Sequence, residues 1–153
     1  MKIGVVSDTH NHFDPVISDV FRGVDHILHG GDVGMPRILL QLEQIAPVTA
    51  VLGNTDSGIE LKESELVILA ERRILLHHIV EPERPSETIR RRLSRDRPDI
   101  VVFGHTHKPF HETIDGVRFL NPGYAGKSRF GMARSVAILS LEGDRMEVEF
   151  KPL

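Results

Sequence analysis

The sequence predicts an α/β fold in which two packed mixed β-sheets are flanked by helices. Apolar runs alternate with helical patterns in the front half of the chain, and short alternating segments follow one another at the back. Alternating strands and helices form sheets that helices cover, and the later strands extend or add to such a sheet. With 153 residues, we predict one domain, residues 1–153, which buries roughly 70% of the surface that the unfolded chain exposes.

Two strand–loop–helix units open the chain. The apolar run at residues 2–6 predicts a strand, and residues 14–22 predict a helix with Asp14 as its cap. The second unit has a strand at residues 26–29 and a helix that begins at Pro36, a residue favoured in the first helical turn. The repeated order of elements favours a sheet that begins with parallel strands.

The rest of the chain adds further strands and one helix. The predicted strands are residues 48–52, 66–69, 74–76 and 99–103 and segments near 110–120, 134–141 and 145–150. We expect a hairpin around residues 70–73 and antiparallel pairing for the last three segments. The helix predicted at residues 86–96 has a narrow apolar stripe, so it should lie at the periphery with its arginines in solvent.

The composition limits the partners and the type of metal site. The chain is 40% hydrophobic and 27% charged with a net charge of -3, which indicates neither nucleic acid nor an anionic membrane as a partner. It has no cysteine, so disulfides and thiolate metal sites are excluded, as in proteins of a reducing cytosol. The apolar run before Ser7 is too short for a signal peptide or a membrane span. We therefore expect a cytoplasmic protein.

Side chains that can bind metal follow five of the predicted strands. They are Asp8 and His10, Asp32, Asn54, His77 or His78, and His105 with His107. Open α/β sheets bind ligands beyond the carboxyl ends of their strands, so these loops should converge on one edge. A single Asp after a strand is more often a helix cap, and a single His in a loop is more often solvated. Repetition at five strand ends favours a metal site.

The residue types also indicate which metals would bind. Asp8 and His10, like His105 and His107, stand two residues apart, so both members of a pair can reach one metal or two neighbouring metals. Carboxylate oxygen mixed with imidazole nitrogen suits Mn, Fe, Zn or Ni better than Ca or Mg. Glycines before several of these residues would allow the backbone to turn sharply, although glycines in ordinary turns give the same pattern.

The ordered segments resemble the signature of the calcineurin-like metallophosphoesterase superfamily. They are Asp8-x-His10, Gly31-Asp32, Gly53-Asn54-x-Asp56 and Gly104-His105-x-His107. The segment Asn121-Pro122-Gly123 is similar to the small prokaryotic phosphodiesterase branch, and the resemblance extends from residue 2 to about residue 141. It implies an α/β/β/α sandwich with two divalent metal ions per chain, manganese being the first expectation and iron, zinc or nickel the alternatives.

The resemblance also implies a ligand for each position. Asp8, His10 and His107 would hold the first metal, Asn54, His105 and a strand-end histidine the second, and Asp32 would bridge the two. In the family a glycine usually follows the strand-end histidine, whereas Ile79 follows here. We expect His78 rather than His77, because strand alternation places His78 on the same side as Leu76.

The resemblance predicts a metal-dependent phosphoric ester hydrolase, with a metal-bridging hydroxide attacking phosphorus in line. The residues expected at the reaction centre are Asp8, Asp32, Asn54 and His105. Many members have a histidine directly after the asparagine, which can protonate the leaving group, but this chain has Thr55. We therefore expect a phosphodiesterase or a hydrolase of activated esters. Asp56 is either an orienting group for His10 or for a nearby amide, or a turn residue before Gly58.

Three residues are candidates for binding a small phosphoester substrate: Asn11, His12 and Arg129. Asn11 and His12 lie just past the first ligand pair, although His12 can also be a solvated residue beside Asp14. Arg129 follows Tyr124, which replaces the serine usual in the family, and could clamp a phosphate. We expect His29 to be a hydrogen-bond partner near the site rather than a ligand. The oligomeric state is open, and a homo-oligomer could form through the strands after residue 110.

A different class of function is compatible with the same fold. The vacuolar sorting subunit of this family indicates that the sandwich can serve as a protein-binding scaffold without catalysis. A metal sensor or a single-zinc hydrolase is a further alternative, but it leaves Asn54 and the second histidine set without a role. Every position at which a metal ligand is expected carries a residue that can bind metal, which favours the enzyme.

Overall fold

The computed structural model describes all 153 residues, which form ten strands and three helices. The elements are β1 (Lys2–Val6), α1 (Val16–Val20), β2 (His26–His29), α2 (Pro36–Glu43), β3 (Val48–Ala50), β4 (Ser64–Leu69), β5 (Arg72–His77), α3 (Glu87–Asp96), β6 (Ile100–Val102), β7 (Phe110–Ile114), β8 (Val117–Asn121), β9 (Ser135–Glu142) and β10 (Arg145–Pro152). No helix is long and apolar enough to cross a membrane.

The strands form two mixed sheets of five. The first has the order β10-β9-β1-β2-β3 and the second β4-β5-β6-β8-β7. Strands β1, β2 and β3 are parallel, as are β5, β6 and β8, and the remaining neighbours pair antiparallel. The predicted fold class, two packed mixed sheets flanked by helices, is confirmed.

Three apolar clusters fill the spaces between the layers of the sandwich. The largest contains buried residues of both sheets, such as Val5 from β1 and Leu76 from β5, and so fills the space between them. A second cluster packs α1 and α2 on the first sheet, and a third packs α3 on the second sheet. Alternation along β5 explains the arrangement, since Leu75 belongs to the outer cluster while its neighbours Ile74 and Leu76 face the other sheet.

The helices follow the sequence expectations with one difference in length. Helix α1 begins at Val16 and ends at Val20, shorter than the expected 14–22. The Asp14 carboxylate still accepts a hydrogen bond from the Val16 N–H at 3.0 Å, so it caps the first turn as expected. Helix α3 exposes most of its surface, with only Ile89 and Asp96 buried, and it is peripheral as predicted.

The expectation for the segment near 110–120 was wrong in part. The chain turns at Asp115 and Gly116, both with positive φ, so the segment is the hairpin β7–β8 rather than one strand. Strand β8 pairs antiparallel with β7 but parallel with β6. Side chains alternate in the same way in parallel and antiparallel strands, so the alternation could not reveal the direction of this pairing.

Candidate metal centre and active site

The loops that follow five strands meet at one edge of the sandwich. Three loops leave β1, β2 and β3 of the first sheet, and two leave β5 and β6 of the second. Backbone hydrogen bonds connect neighbouring loops: Asp8 N–H donates to Gly31 O at 3.0 Å, and Gly104 N–H donates to His78 O at 3.0 Å. The His105 N–H donates to the Asp8 carboxylate at 3.1 Å, which joins the two sheets directly. The convergence of the loops is therefore built into the backbone.

Two groups of side chains could each hold a metal ion, and they share Asp8. The first group is Asp8, His10 and His107, and the second is Asp8, Asp32 and His78; within each group the potential ligand atoms lie within 4.8 Å of one another. Asp8 Oδ1 is 3.2 Å from His107 Nε2 and 3.9 Å from both His10 Nε2 and His78 Nε2.

The second carboxylate also faces both groups. Asp32 Oδ2 is 3.3 Å from His78 Nε2 and 3.7 Å from His10 Nε2. The two carboxylates are buried, at 0% exposure for Asp8 and 2% for Asp32, whereas His10 is half-buried. Each carboxylate therefore faces histidines of both groups.

Asn54 and His105 lie at the exposed side of this cluster. The Asn54 Oδ1 and His105 Nδ1 atoms are 3.0 Å apart, and the His105 ring stands edge-on to the His78 ring with 5.5 Å between the centroids. The Thr55 N–H donates to Asp32 Oδ1 at 2.9 Å, which connects the Asn54 loop to the buried carboxylate. All the residues expected as ligands are thus brought to one place.

The adjacent histidines His77 and His78 point in different directions. His78 is 2% exposed and lies against both carboxylates, and its Nδ1 is 2.8 Å from Gly30 O. His77 instead has its Nδ1 2.6 Å from Ser64 Oγ across the β4–β5 hairpin. The structure therefore brings His78 and not His77 to the carboxylates, as expected from strand alternation.

The donor set fits divalent cations. His78 Nε2 is buried without a hydrogen-bond partner, since its approach to Asp32 lacks hydrogen-bond geometry, and an unpaired buried nitrogen is costly unless something binds it. The loop backbone also approaches closely. A Cβ atom at Gly104 would lie 2.5 Å from Asp8 Oδ2, so only glycine leaves room for that carboxylate. Carboxylates and imidazoles without thiolates suit Mn, Fe, Zn or Ni.

The backbone of the site is conformationally strained. Ten residues other than glycine have positive φ, and six of them lie here: Asp8, His10, Asn11, Asp32, His105 and His107. The left-handed conformation costs an L-residue roughly 1–2 kcal/mol. Such residues persist only where the surroundings hold them, and they concentrate at functional sites. The remaining four lie in tight turns or at the end of α3.

Asp56 orders two of the loops through backbone hydrogen bonds. Its carboxylate accepts from the N–H groups of Val33 at 3.1 Å, Gly34 at 2.8 Å and Gly53 at 2.9 Å. Asp56 therefore ties the loop that carries Asp32 to the loop that carries Asn54. Of the two roles left open by the sequence, the structure supports the orienting group, with amides and not His10 as its partners.

The charges of the buried groups are coupled. Burial raises the pKa of Asp8, and the Ser7 hydroxyl and neighbouring histidines offset this only in part. Burial acts in the same direction on Asp32, but the His78 imidazole and the Thr55 N–H outweigh it and hold the pKa of Asp32 below its usual range. Burial disfavours protonated His78, yet Asp32 and Asp8 raise its pKa.

His29 is a buried hydrogen-bonding residue near the centre, as expected. Its Nδ1 accepts from the Gly31 N–H at 3.2 Å, so the neutral ring carries its proton on Nε2, which lies 3.0 Å from Thr9 Oγ1. The Thr9 hydroxyl in turn donates to Val33 O at 2.9 Å. Burial lowers the pKa of His29 to about 4. The neutral ring connects the β1 and β2 loops.

The three expected substrate residues differ in their surroundings. The Asn11 Oδ1 accepts from Arg37 Nε at 2.9 Å and its carbonyl from Arg37 Nη2 at 3.1 Å. His12 is half-buried beside Asp14. Arg129 is exposed, and its guanidinium lies 5.6 Å from the ring centroid of Tyr124.

Arg37 is a neighbour of the site that the sequence did not single out, and Tyr124, noted there only as a replacement for serine, is another neighbour. The Tyr124 ring is fully buried, with its centroid 4.7 Å from that of His107 and 6.1 Å from that of His10. It links Arg129 to the first ligand group. Arg37 lies in the first turn of α2 and reaches Asn11, 26 residues away in sequence. No local pattern marks either contact, because both depend on how distant loops pack.

Known proteins resemble this chain in sequence and in fold. A probable metallophosphoesterase of Methanothermobacter thermautotrophicus is 36% identical over 157 residues, covering 97% of this chain and 91% of that protein. A solved archaeal phosphodiesterase has a TM-score of 0.81 at 22% identity and covers 100% of both chains. Vps29 from Entamoeba histolytica complexed with zinc has a TM-score of 0.80 at 22% identity, covering 100% of this chain and 98% of that one. The two solved structures show the shared fold.

The family model for the calcineurin-like phosphoesterase superfamily domain matches residues 1–144. This match includes every residue of the five loops, from Asp8 to His107. Together with the relative that is 36% identical over nearly the whole chain, it shows that the chain belongs to the calcineurin-like phosphoesterase superfamily, a family of metal-dependent hydrolases.

Proposed function

We propose that this chain is a dinuclear metal-dependent phosphodiesterase. The observation that carries the proposal is the pair of buried carboxylates, Asp8 and Asp32, each of which faces the histidines of both ligand groups. One carboxylate with its own histidines would suffice for a single ion. Two carboxylates that share histidine neighbours on both sides support two ions held side by side.

Each ion has a proposed set of protein ligands. Asp8, His10 and His107 would hold one ion, and Asn54, His78 and His105 the other, with Asp32 between them. When bound, two such cations supply a water of lowered pKa and neutralise charge on the phosphoryl oxygens. Manganese is the first candidate, since the ligands are carboxylate, amide and imidazole without thiolate.

The remaining residues orient the substrate and limit the leaving group. Arg37 holds the Oδ1 atom of Asn11, so the Asn11 amide NH₂ is the part left to donate to a phosphoryl oxygen. Thr55 follows Asn54 at the position where many family members have a histidine that can protonate the leaving group. Its backbone N–H donates a hydrogen bond to Asp32. Without a nearby proton donor at that position, esters whose leaving group needs little protonation are favoured. This supports diesters and activated esters over alkyl monoesters.

Metal content and hydrolysis test the proposal together. The protein is purified without metal, reconstituted with Mn²⁺ and analysed by elemental analysis, then assayed with bis-p-nitrophenyl phosphate and with p-nitrophenyl phosphate. We expect about two ions per chain and faster hydrolysis of the diester. One ion per chain at saturation would contradict the dinuclear centre, and preference for the monoester would contradict the phosphodiesterase.

The alternative is a protein-binding scaffold on the same fold. The likeness to Vps29 supports it only through the fold. The presence of a metal-binding residue at every candidate position, with two buried carboxylates and a strained backbone, favours catalysis instead. Full metal loading without hydrolysis of any phosphoester would support the scaffold.

A further inference from the structure

A cavity of about 450 Å³ is lined in part by residues that lie next to candidate metal ligands in the chain, and it has no role in the chemistry described above. It lies between the segment that follows β5 and the segment that follows β6. Its apolar lining consists of Val80, Pro82, Phe103, Pro109 and Phe110. Cavities of this size and apolar character are typical of sites that enclose a small organic group.

The cavity opens from the same strand ends as the candidate ligands. Thr106, which lines it, stands between His105 and His107 in the chain, and Val80 stands two residues after His78. The Gly104 N–H donates to His78 O, so the two walls begin from hydrogen-bonded strand ends. Two residues of the cavity wall, Thr106 and Val80, are therefore within two positions in the chain of the candidate ligands His105, His107 and His78.

The walls suit a flat ring. The Phe103 and Phe110 rings pack edge to face, with 5.9 Å between centroids and an interplanar angle of 63°. Phe103 is 2% exposed and forms part of the buried side, whereas Phe110 is half-buried. Aromatic rings favour such edge-to-face or offset contacts with a further ring.

The charges at the cavity argue against a second anionic group. Glu81 and Glu83 are balanced by Arg84 and Lys108. A balanced rim gives no net attraction for a phosphate, so the apolar walls must select the occupant. An uncharged aromatic substituent fits both features.

We propose that this cavity receives an aromatic ester substituent of the phosphodiester, which makes Phe110 a residue that determines specificity. The inference rests on the proposed function and names its substrate class: diesters in which one esterified group carries an aromatic ring, either an aryl group or a nucleoside with its base.

The test compares Phe110→Ala with Ile114→Ala. Both residues lie in β7, both are half-buried, and both pack on the same apolar cluster, but only Phe110 lines the cavity. Inhibition constants are measured against bis-p-nitrophenyl phosphate hydrolysis for diphenyl phosphate, thymidine 5′-methyl phosphate and dimethyl phosphate. Phe110→Leu, which keeps an apolar side chain without the ring, replaces Phe110→Ala if that variant does not fold.

We expect Phe110→Ala to weaken inhibition by diphenyl phosphate about tenfold, the loss of one aromatic contact. Inhibition by dimethyl phosphate should not change, and Ile114→Ala should resemble the wild type with every ligand. If Phe110→Ala also weakens inhibition by the thymidine diester, the site accepts a nucleoside base as well. If it weakens inhibition by diphenyl phosphate alone, the site accepts aryl groups only. Equal inhibition of Phe110→Ala and Ile114→Ala by both ring-bearing ligands would overturn the inference.

Failure of the proposed function can be distinguished from failure of this inference. If the wild type hydrolyses no phosphoester, the proposed function fails, and diphenyl phosphate is then titrated into the metal-loaded protein and followed by NMR. Amide shifts at Thr106 and Phe110 that disappear in Phe110→Ala would still support an aromatic diester site. An absence of such shifts would overturn it.

Discussion

The candidate centre has a buried core and an exposed rim, and the two are held in different ways. The core residues Asp8, Asp32 and His78 are all at most 2% exposed and are fixed by backbone contacts from several loops. At the rim, Asn54 and His105 are exposed and contact each other. The core is therefore positioned by the fold, whereas the rim is positioned by fewer contacts and is open to substrate.

The core and the rim should therefore contribute differently to metal binding and to catalysis. The two core carboxylates, Asp8 and Asp32, should affect both metal ions, because each faces histidines of both ligand groups. Rim residues should affect one ion and the approach of the substrate. Residues that hold the loops, such as Asp56 and His29, should act through the position of the core and so have smaller effects.

The largest effect is expected from Asp32→Asn. Loss of the carboxylate charge between the two groups should remove most metal binding and lower kcat/KM by about 10³-fold or more, because several kcal/mol of transition-state stabilisation depend on the ions. Asn54→Ala should instead reduce the metal content from two ions to about one. Elemental analysis and bis-p-nitrophenyl phosphate kinetics measure both, with the exposed Asp144→Asn as control. A mutant Asp32→Asn that keeps two ions and its activity would contradict a shared core.

The two adjacent histidines give the next largest contrast. His78→Ala should lower kcat/KM by about 10²-fold, since it removes the core nitrogen that faces both carboxylates. His77→Ala should change kcat/KM by less than about threefold, because the His77 ring is 2.6 Å from Ser64 Oγ and does not contact either carboxylate. The pair is measured side by side at saturating Mn²⁺. A larger loss in His77→Ala would show that the core has been assigned to the wrong histidine.

Asp56→Asn should have an intermediate effect. The carboxylate accepts three N–H groups, and an amide has only one oxygen to accept them, so the loops that carry Asp32 and Asn54 should loosen. We expect metal affinity to fall by about tenfold, with kcat at saturating metal changed less. Titration with Mn²⁺ measures the affinity. Unchanged affinity would mean that the two loops are held by other contacts.

The smallest effect is expected at His29 and concerns stability in acid. The pKa of His29 is about 4 in the folded protein and 6.5 in the unfolded chain. Between these two pH values the unfolded chain therefore binds a proton that the folded protein excludes. Stability should be complete above about pH 6.5 and decline as the pH falls towards 4, by about 3 kcal/mol. Unfolding of metal-free protein is measured by urea denaturation across this range. His29→Gln should flatten the decline, and an unaltered decline would contradict the assignment.

The elements could be predicted from periodicity, since helix α3, the β4–β5 hairpin and the strands that carry the site occur where their apolar patterns indicated. The pairing of the strands could not be predicted from periodicity. The parallel contact of β8 with β6 and the division of the strands into two sheets depend on contacts between segments distant in sequence.

The sequence by itself determined the fold class, the family and the residues at the carboxyl ends of the strands, because strand periodicity and the order of the motifs are local properties of the chain. Only the tertiary structure decided which atoms face one another: His78 rather than His77 at the carboxylates, Asp56 on three amides, and Arg37 on Asn11. It also created the cavity beside Phe110, whose walls come from two loops. Distances between side chains follow from packing of the two sheets, which no local pattern specifies.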